Sequence, residues 1–282
     1  MMRKALAIAA AFGFAVTAFS ATAETTAMPL RDWHWSFEGP FGRFDQEQLQ
    51  RGYKVYHDVC SACHSMSQMS YRNLGQPGGP FYDPKYKNPN DNPYVKTIVK
   101  DYQVPDIDTD TGDAIKRPAT PADTFVKPFP NEYAARASNG GALPPDLSLI
   151  IKAREDGPRY VFSILRGYMA PPAGLKVPAG RFYNAYMPGD LGSAMASPNM
   201  KVPEGGFIAM PLQLTDNKVT FDDGTKATAD QEAADVVAFL AWAAEPHADE
   251  RKNLGIAVLI YLSIFTLVLY FSYRAVWRNV SH

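Results

Sequence analysis

Cysteine is almost missing from this chain: 282 residues contain two, Cys60 and Cys63. A multi-bridge disulfide framework is thereby excluded. Histidine is scarce as well, with His34, His57, His64, His247 and His282 scattered along the chain. Beyond the two thiols there is no second pair of ligands at the spacing a structural zinc site needs. An excess of charge of either sign is also lacking, since 28 Lys and Arg face 29 Asp and Glu, a net charge of -1. That balance argues against a nucleic-acid partner, whose phosphates select strongly basic surfaces. No internal repeat and no alternating βαβ pattern is found, which removes the usual setting of a thioredoxin-like dithiol. Long apolar runs are absent from the whole middle of the chain and occur only near its two ends.

What is there begins with Cys60-Ser61-Ala62-Cys63-His64, a C-x-x-C-H pattern that uses both cysteines. Two thiols three residues apart on one helical turn can each add to a vinyl group of one porphyrin, and the adjacent imidazole can reach the iron. The motif therefore predicts one haem c, attached through Cys60 and Cys63, with His64 as an axial metal ligand. Alternative uses of a C-x-x-C, as a redox dithiol, a disulfide or half a zinc site, lack the supporting pattern here.

The terminal runs predict targeting. Arg3 and Lys4 precede an apolar stretch over residues 5–19 and then Ala21-Thr22-Ala23, so residues 1–23 read as a cleaved signal peptide. The second run, residues 254–273, is 20 residues without charge, long enough to span about 30 Å as a helix. It predicts a single transmembrane anchor. Basic residues are equal on its two sides, so the signal peptide decides orientation: residues 24–250 form the exported, periplasmic domain and 274–282 a cytoplasmic tail of a protein in the bacterial inner membrane.

Of the 23 prolines, 20 lie between Pro77 and Pro211, which predicts long ordered loops over a core. Two helices frame that stretch. The first opens at Asp45 with Gln48 as capping partner and places Leu49, Tyr53, Tyr56, Val59 and Cys63 on one face, Gly52 leaving room for another helix. The second opens at Thr228 with Gln231, buries Ala233, Val236, Val237, Leu240 and Ala244, and stops before Pro246. Short helices are predicted over 145–152 and 158–167, and a hairpin over 219–225 around Asp223-Gly224. Asp106, Asp108, Asp110 and Asp113 imitate a calcium loop, but Thr111 and Arg117 stand where Gly and Glu are needed, so a solvated acidic loop is expected. The predicted fold class is mainly α: an N-terminal helix carrying the motif and a C-terminal helix to pack across it resemble the class I cytochrome c fold, here enlarged by long proline-rich loops and followed by one C-terminal transmembrane helix.

A sixth iron ligand would separate electron transfer from ligand chemistry. Met187 and Met210 are each followed by Pro, and Met210 is preferred because Gly205-Gly206 would let its loop approach the porphyrin among Phe207, Ile208 and Leu212. A stand-alone anchored electron carrier, and a c-haem peroxidase or sensor, remain open at this point.

Six further segments carry a resemblance: Arg51-Gly52-Tyr53-x-Val55-Tyr56, Tyr71-Arg72-x-Leu74, Asn139-Gly140-x-Ala142-Leu143-Pro144-Pro145-Asp146-Leu147-Ser148, Ile208-Ala209-Met210-Pro211, Phe221-Asp222-Asp223-Gly224-Thr225 and Trp242-Ala243-Ala244-Glu245-Pro246. Together they resemble the cytochrome c1 family over nearly all of the chain beyond the signal peptide. The resemblance implies a redox subunit, not an enzyme on its own, of ubiquinol:cytochrome c oxidoreductase in a respiratory or photosynthetic membrane. It implies a relay of single electrons from a Rieske iron-sulfur protein to a soluble or anchored cytochrome c, with a cytochrome b subunit and membrane lipid as further partners. By position it implies Met210 opposite His64, Arg136 near a haem propionate, and Tyr53, Pro144 and Pro145 lining or buttressing the pocket. The acidic residues Asp106, Asp108 and Asp110 are candidates to attract a basic cytochrome c. The chain has no cysteine for the extra disulfide found in some bacterial members, so its 170–200 loop is expected to be held by prolines and packing.

Overall fold

Residues 27–197 and 199–279 are described by a computed structural model; the predicted signal peptide, 1–23, lies outside them. The first helix, α1 (Gln46–Val55), is capped by Asp45, whose side chain accepts from the Gln48 amide at 3.0 Å. Fifth in order along the chain, α5 (Ala229–Ala244) is capped by Thr228, which accepts from the Gln231 amide at 3.2 Å. Both helix starts are where the capping pattern puts them.

Almost every residue of α5 is buried, so it runs through the centre of the molecule, largely apolar but with the Glu232 and Asp235 carboxylates also enclosed. Across it lies α1, the principal helix–helix interface. Gly52 makes that crossing possible: a Cβ there would stand 2.0 Å from the Asp235 carbonyl oxygen and 2.7 Å from Phe239 Cβ. Beside the crossing, Arg51 Nε donates to the buried Asp235 carboxylate at 2.8 Å, and Gln231 donates to the same group at 2.8 Å. Another face of α5 takes α4 (Gly157–Arg166), which starts with Pro158 in its first turn as expected. The N-terminal segment wraps this side, its Trp33 ring 4.9 Å and its Trp35 ring 6.0 Å from Phe162.

The middle of the chain is loop-rich but carries more local order than its prolines suggest. Short helices α2 (Pro93–Val99) and α3 (Glu132–Ser138) are joined by a hairpin of β1 (Gln103–Ile107) and β2 (Ala114–Pro118). That hairpin occupies the stretch expected to be a plain acidic loop. Its carboxylates have structural uses: Asp106 pairs with Arg117 at 2.7 Å, and Asp108 Oδ1 accepts from the Asp110 amide at 2.8 Å. A second small sheet pairs β3 (Phe182–Asn184) with β4 (Gly206–Ile208).

Two expected elements are replaced. Residues 145–152 form turns rather than a helix, because their amides are spent elsewhere: Leu147 donates to Ser65 O at 2.8 Å and Ser148 to the Asp146 carboxylate at 2.8 Å. No strands pair over 219–225. Gly224 does take a positive φ of 77°, but the Val219 amide bonds Glu232 Oε1 of α5 at 3.0 Å instead of a partner strand.

At the C-terminus α6 (Ala248–Trp277) is a single helix of 30 residues with a mean hydropathy of 2.4 over its most apolar window. Its apolar side chains are outside the core, and by length and composition it is able to cross a membrane.

Candidate functional site

The C-x-x-C-H motif follows α1 without a break, but through an under-wound turn. Tyr56–Cys60 is a π-helical turn, closed by the Ser61 amide donating to Tyr56 O at 2.8 Å. Such a turn holds one residue more than an α-turn and rotates all that follows relative to the helix face. This corrects the expected stripe: Leu49, Tyr53 and Tyr56 are buried, Val59 is half-buried, and Cys63 is exposed. Cys60 instead packs against the core, and burial, reinforced by neighbouring Cys63, pushes its thiol up to about 12. Both thiols are free. A tight return, with the Cys63 and His64 amides donating to Cys60 O at 3.1 and 2.9 Å, brings the imidazole round directly after the second cysteine.

His64 is fixed from outside the motif. Its Nδ1 is 2.8 Å from Pro145 O, a bond in which the ring donates, so the lone pair is left on Nε2. The proline itself is held by a clasp one residue further on. Asp146 Oδ2 accepts from Ser65 Oγ at 2.9 Å and from the Ser67 amide at 2.8 Å, while Ser148 Oγ accepts from the Gln68 amide at 3.0 Å. Burial opposes ionisation of Asp146, yet the bonds from Ser148 and Ser67 outweigh it and hold the carboxyl down at about 2. Burial lowers the His64 imidazole below its ordinary value, with the Pro145 bond and the Asp146 charge offsetting part of the drop. Neutral imidazole with a free Nε2 is the form that ligates a metal.

This clasp is the part of the site that sequence reasoning missed. Its signal was present in Asp146-Leu147-Ser148, since an Asp that accepts the amide two residues on is an ordinary Asx-turn.

Met210 is placed by a separate set of contacts. Gly167 ends α4 where a Cβ would lie 2.4 Å from Asn184 Oδ1, and Asn184 Nδ2 donates back to Ile164 O at 2.8 Å. This locks β3 to the end of α4, β4 pairs with β3, and Tyr168 Oη donates to the Met210 carbonyl at 2.9 Å just beyond β4. The Gly205-Gly206 pair serves this sheet: a Cβ on Gly205 would lie 2.6 Å from Asn184 O. Met187 differs from Met210 in that its sulfur is already approached by Tyr160 Oη at 4.0 Å.

Of the remaining predicted residues, Pro145 lies against His64 as described, and Tyr53 and Arg136 are dispersed. Tyr53 is in the core, edge-on to Phe81 at 5.3 Å and to Phe239 at 5.7 Å. Pro144 is half-buried and Pro145 exposed. Arg136, exposed on α3, donates from Nη1 to Gly141 O at 3.2 Å within its own loop. A cavity of about 290 Å³ lined by Tyr53, Tyr56, Tyr71 and Tyr102 abuts Ser61 and Ala62, on the motif's intervening residues.

The donor set fits a c-type haem: two free thiols one turn apart, an imidazole whose tautomer is set for ligation, and a thioether with no hydroxyl on its sulfur. The model of the cytochrome C1 family matches residues 35–280. The chain belongs to the cytochrome c1 family. Cytochrome c1 of Rhodospirillum rubrum is 41% identical over 279 residues, covering 93% of this chain and 93% of that protein. The mitochondrial cytochrome c1 haem protein of Saccharomyces cerevisiae is 40% identical over 266 residues, covering 94% of this chain and 77% of its own length. A cytochrome b/c1 of Bradyrhizobium diazoefficiens is 44% identical over 264 residues, 87% of this chain but 35% of that longer protein. Membership of the cytochrome c1 family makes the chain a haem-bearing electron carrier of the cytochrome bc1 complex.

Proposed function

We propose that the chain relays single electrons from a Rieske iron-sulfur domain to a soluble or anchored cytochrome c, using one haem held covalently by Cys60 and Cys63. The observation that carries this reading is the 2.8 Å bond from His64 Nδ1 to Pro145 O, which leaves Nε2 as the only ring nitrogen free to ligate. When bound, the haem supplies a one-electron couple and no substrate bond is made or broken. The chain's own residues do the rest. Cys60 and Cys63 would hold the group covalently, and His64, kept oriented by the Asp146 clasp, would supply a nitrogen donor to its iron. Met210 would supply a thioether donor, a ligand type that raises the potential and disfavours binding of small ligands. Arg136, Tyr53, Pro144 and Pro145 complete the surroundings, Arg136 as a charge partner for a propionate.

The same reading places residues 24–250 in the periplasm after removal of 1–23, α6 in the bacterial inner membrane beside cytochrome b, and 274–282 in the cytoplasm. It is supported by the exposed apolar length of α6 and by the absence of any charge between residues 254 and 273. The test is an optical redox difference spectrum of the protein isolated from its membrane in mild detergent. A c-type signal accompanied by b-type haem and quinol:cytochrome c reductase activity is expected. A stable, active preparation with c-type haem alone would replace this reading with a stand-alone carrier.

A further inference from the structure

Beside the point where α6 leaves the folded domain, the chain turns tightly through Glu38-Gly39-Pro40-Phe41-Gly42. The turn is closed at its base, the Arg43 amide donating to Ser36 O at 2.9 Å and the Glu38 amide to Trp35 O at 3.2 Å. Glycine shapes its tip: Gly39 takes a positive φ of 72°, and a Cβ on Gly42 would collide with the Glu38 carbonyl oxygen. The aromatic residues on either side face inward. The Phe37 and Phe44 rings lie 4.9 Å apart, and Phe37 continues to buried Trp35 at 5.6 Å. Phe41, between them in sequence, is 78% exposed. A single exposed ring needs no partner by itself, but the level of this one supplies a partner.

That level is fixed by α6. Lys252 Nζ donates to Phe37 O at 2.5 Å and to Gly42 O at 3.0 Å, so one ammonium on the helix holds both ends of the turn. Arg43 Nη2 donates to Asn253 Oδ1 at 2.9 Å, and the Phe44 amide to Asp249 Oδ2 at 3.2 Å. Pro40 and Phe41 share the lining of a notch of about 130 Å³ with Ile256. The charge-free run begins at residue 254, so Ile256 lies about 3 Å inside it at a rise of 1.5 Å per residue. In a helix that enters a bilayer this is the layer of headgroups and first methylenes, where aromatic rings are favoured. Exposed Arg43 and half-buried Lys252 add two cations at the level of the phosphates.

We propose that the 38–42 turn is a second membrane contact, its partner a lipid surface into whose interface Phe41 inserts beside the start of α6. A single helix leaves the domain it carries free to swing about the junction. A ring inserted to one side of that helix, on a segment joined to it by four hydrogen bonds, removes this freedom. It thereby fixes how the domain bearing Cys60, Cys63 and His64 leans over the membrane. The proposal rests on the reading of α6 as a membrane anchor.

The test is spin-label depth on the full-length, haem-loaded chain in liposomes of phosphatidylcholine and phosphatidylglycerol. One cysteine at a time is introduced and labelled: Pro40→Cys, which keeps Phe41; Leu262→Cys, inside the charge-free run; and Asp110→Cys, on the exposed hairpin turn. The unaltered protein, labelled in parallel, supplies the background from Cys60 and Cys63. Accessibility to oxygen, which concentrates in lipid, is compared with accessibility to a nickel chelate, which stays in water. The oxygen-to-nickel ratio at residue 40 is expected to be several-fold above that at 110 and below that at 262. Adding Phe41→Ser to Pro40→Cys should bring the ratio down towards the value at 110. A ratio at 40 equal to that at 110 overturns the proposal, as does a ratio that Phe41→Ser leaves unchanged. Low access of both reagents at 40 also overturns it, since a protein surface then covers the turn. Residue 262 separates the two readings: if it reads as water the anchor falls and the turn with it, whereas lipid at 262 with water at 40 overturns only the turn.

Discussion

Adding a single methyl group to Gly52 should disconnect the helix that carries the haem motif from the core. A Cβ at this position would stand 2.0 Å from the Asp235 carbonyl oxygen, about 1.4 Å inside the 3.4 Å at which ordinary contact begins. The obstacle is backbone in the middle of α5, which has no rotamer to change. The helices must therefore separate, and a radial gap of even ~0.5–1 Å forfeits roughly a quarter to a half of the dispersion energy across an interface. Leu49, Tyr53 and Tyr56 would all draw back from α5. Overpacking of this kind costs typically ~1–3 kcal/mol, and a backbone collision belongs at the top of that range or above it. Alanine's better helix propensity returns ~1 kcal/mol, so Gly52→Ala should lose about 2–3 kcal/mol. For a domain of this size that lowers Tm by roughly 5–10 °C, measured as a thermal melt by far-ultraviolet circular dichroism. Gly255→Ala is the control, since a Cβ there meets nothing within 4 Å and should leave stability unchanged or slightly raised. If Gly52→Ala melted within ~2 °C of the unaltered protein, the account of the α1–α5 crossing would be wrong.

Removing the guanidinium in Arg51→Ala leaves the fully buried Asp235 without its cation and should cost about 3–5 kcal/mol by denaturant titration. The depressed Asp146 carboxyl contributes stability that is complete above its unfolded value near 4 and is lost as pH falls through its folded value of about 2. An acid-unfolding curve should therefore lose part of its steepness between those limits in Asp146→Asn, and that variant should be less stable at neutral pH by ~1–3 kcal/mol. Met210→Leu should lower the haem midpoint potential by a tenth or more of the ~0.8 V range that axial ligands span. Met187→Leu should leave it in place, and potentiometric titration of the two variants decides between the sulfurs.

Much of this was legible in the sequence because it depends on neighbours in the chain. The helix starts at Asp45 and Thr228, the ligand-bearing motif, the small residue at the crossing and the apolar terminal helix are all local patterns. The misses share a different cause. Residues 145–152 have helix-like composition, but Ser65, Ser67 and Gln68, some 80 residues earlier, take up their hydrogen-bonding groups. Val219 would serve a hairpin had Glu232 not captured its amide. The π-turn at Tyr56–Cys60 leaves no mark in hydrophobic spacing, so the helical stripe was drawn one residue out of phase at Cys63. Tertiary competition for backbone donors, rather than weak local propensity, is what the sequence did not display.

The clamp between Arg51 and Asp235 joins residues 184 positions apart, and this has a consequence for the order in which the molecule assembles. Closing so long a loop is entropically expensive and slow. Helix α1 cannot find its seat until nearly the whole domain has emerged, because α5 ends only at Ala244 and α6 begins at Ala248. Until then Cys60 and Cys63 ride on a short helix too marginal to persist alone. Cys60 is thus more accessible before α5 arrives than after it, whereas Cys63 is exposed in the folded domain as well. Folding therefore withdraws Cys60 towards the core and leaves Cys63 at the surface, with the arrival of α5 as the clock.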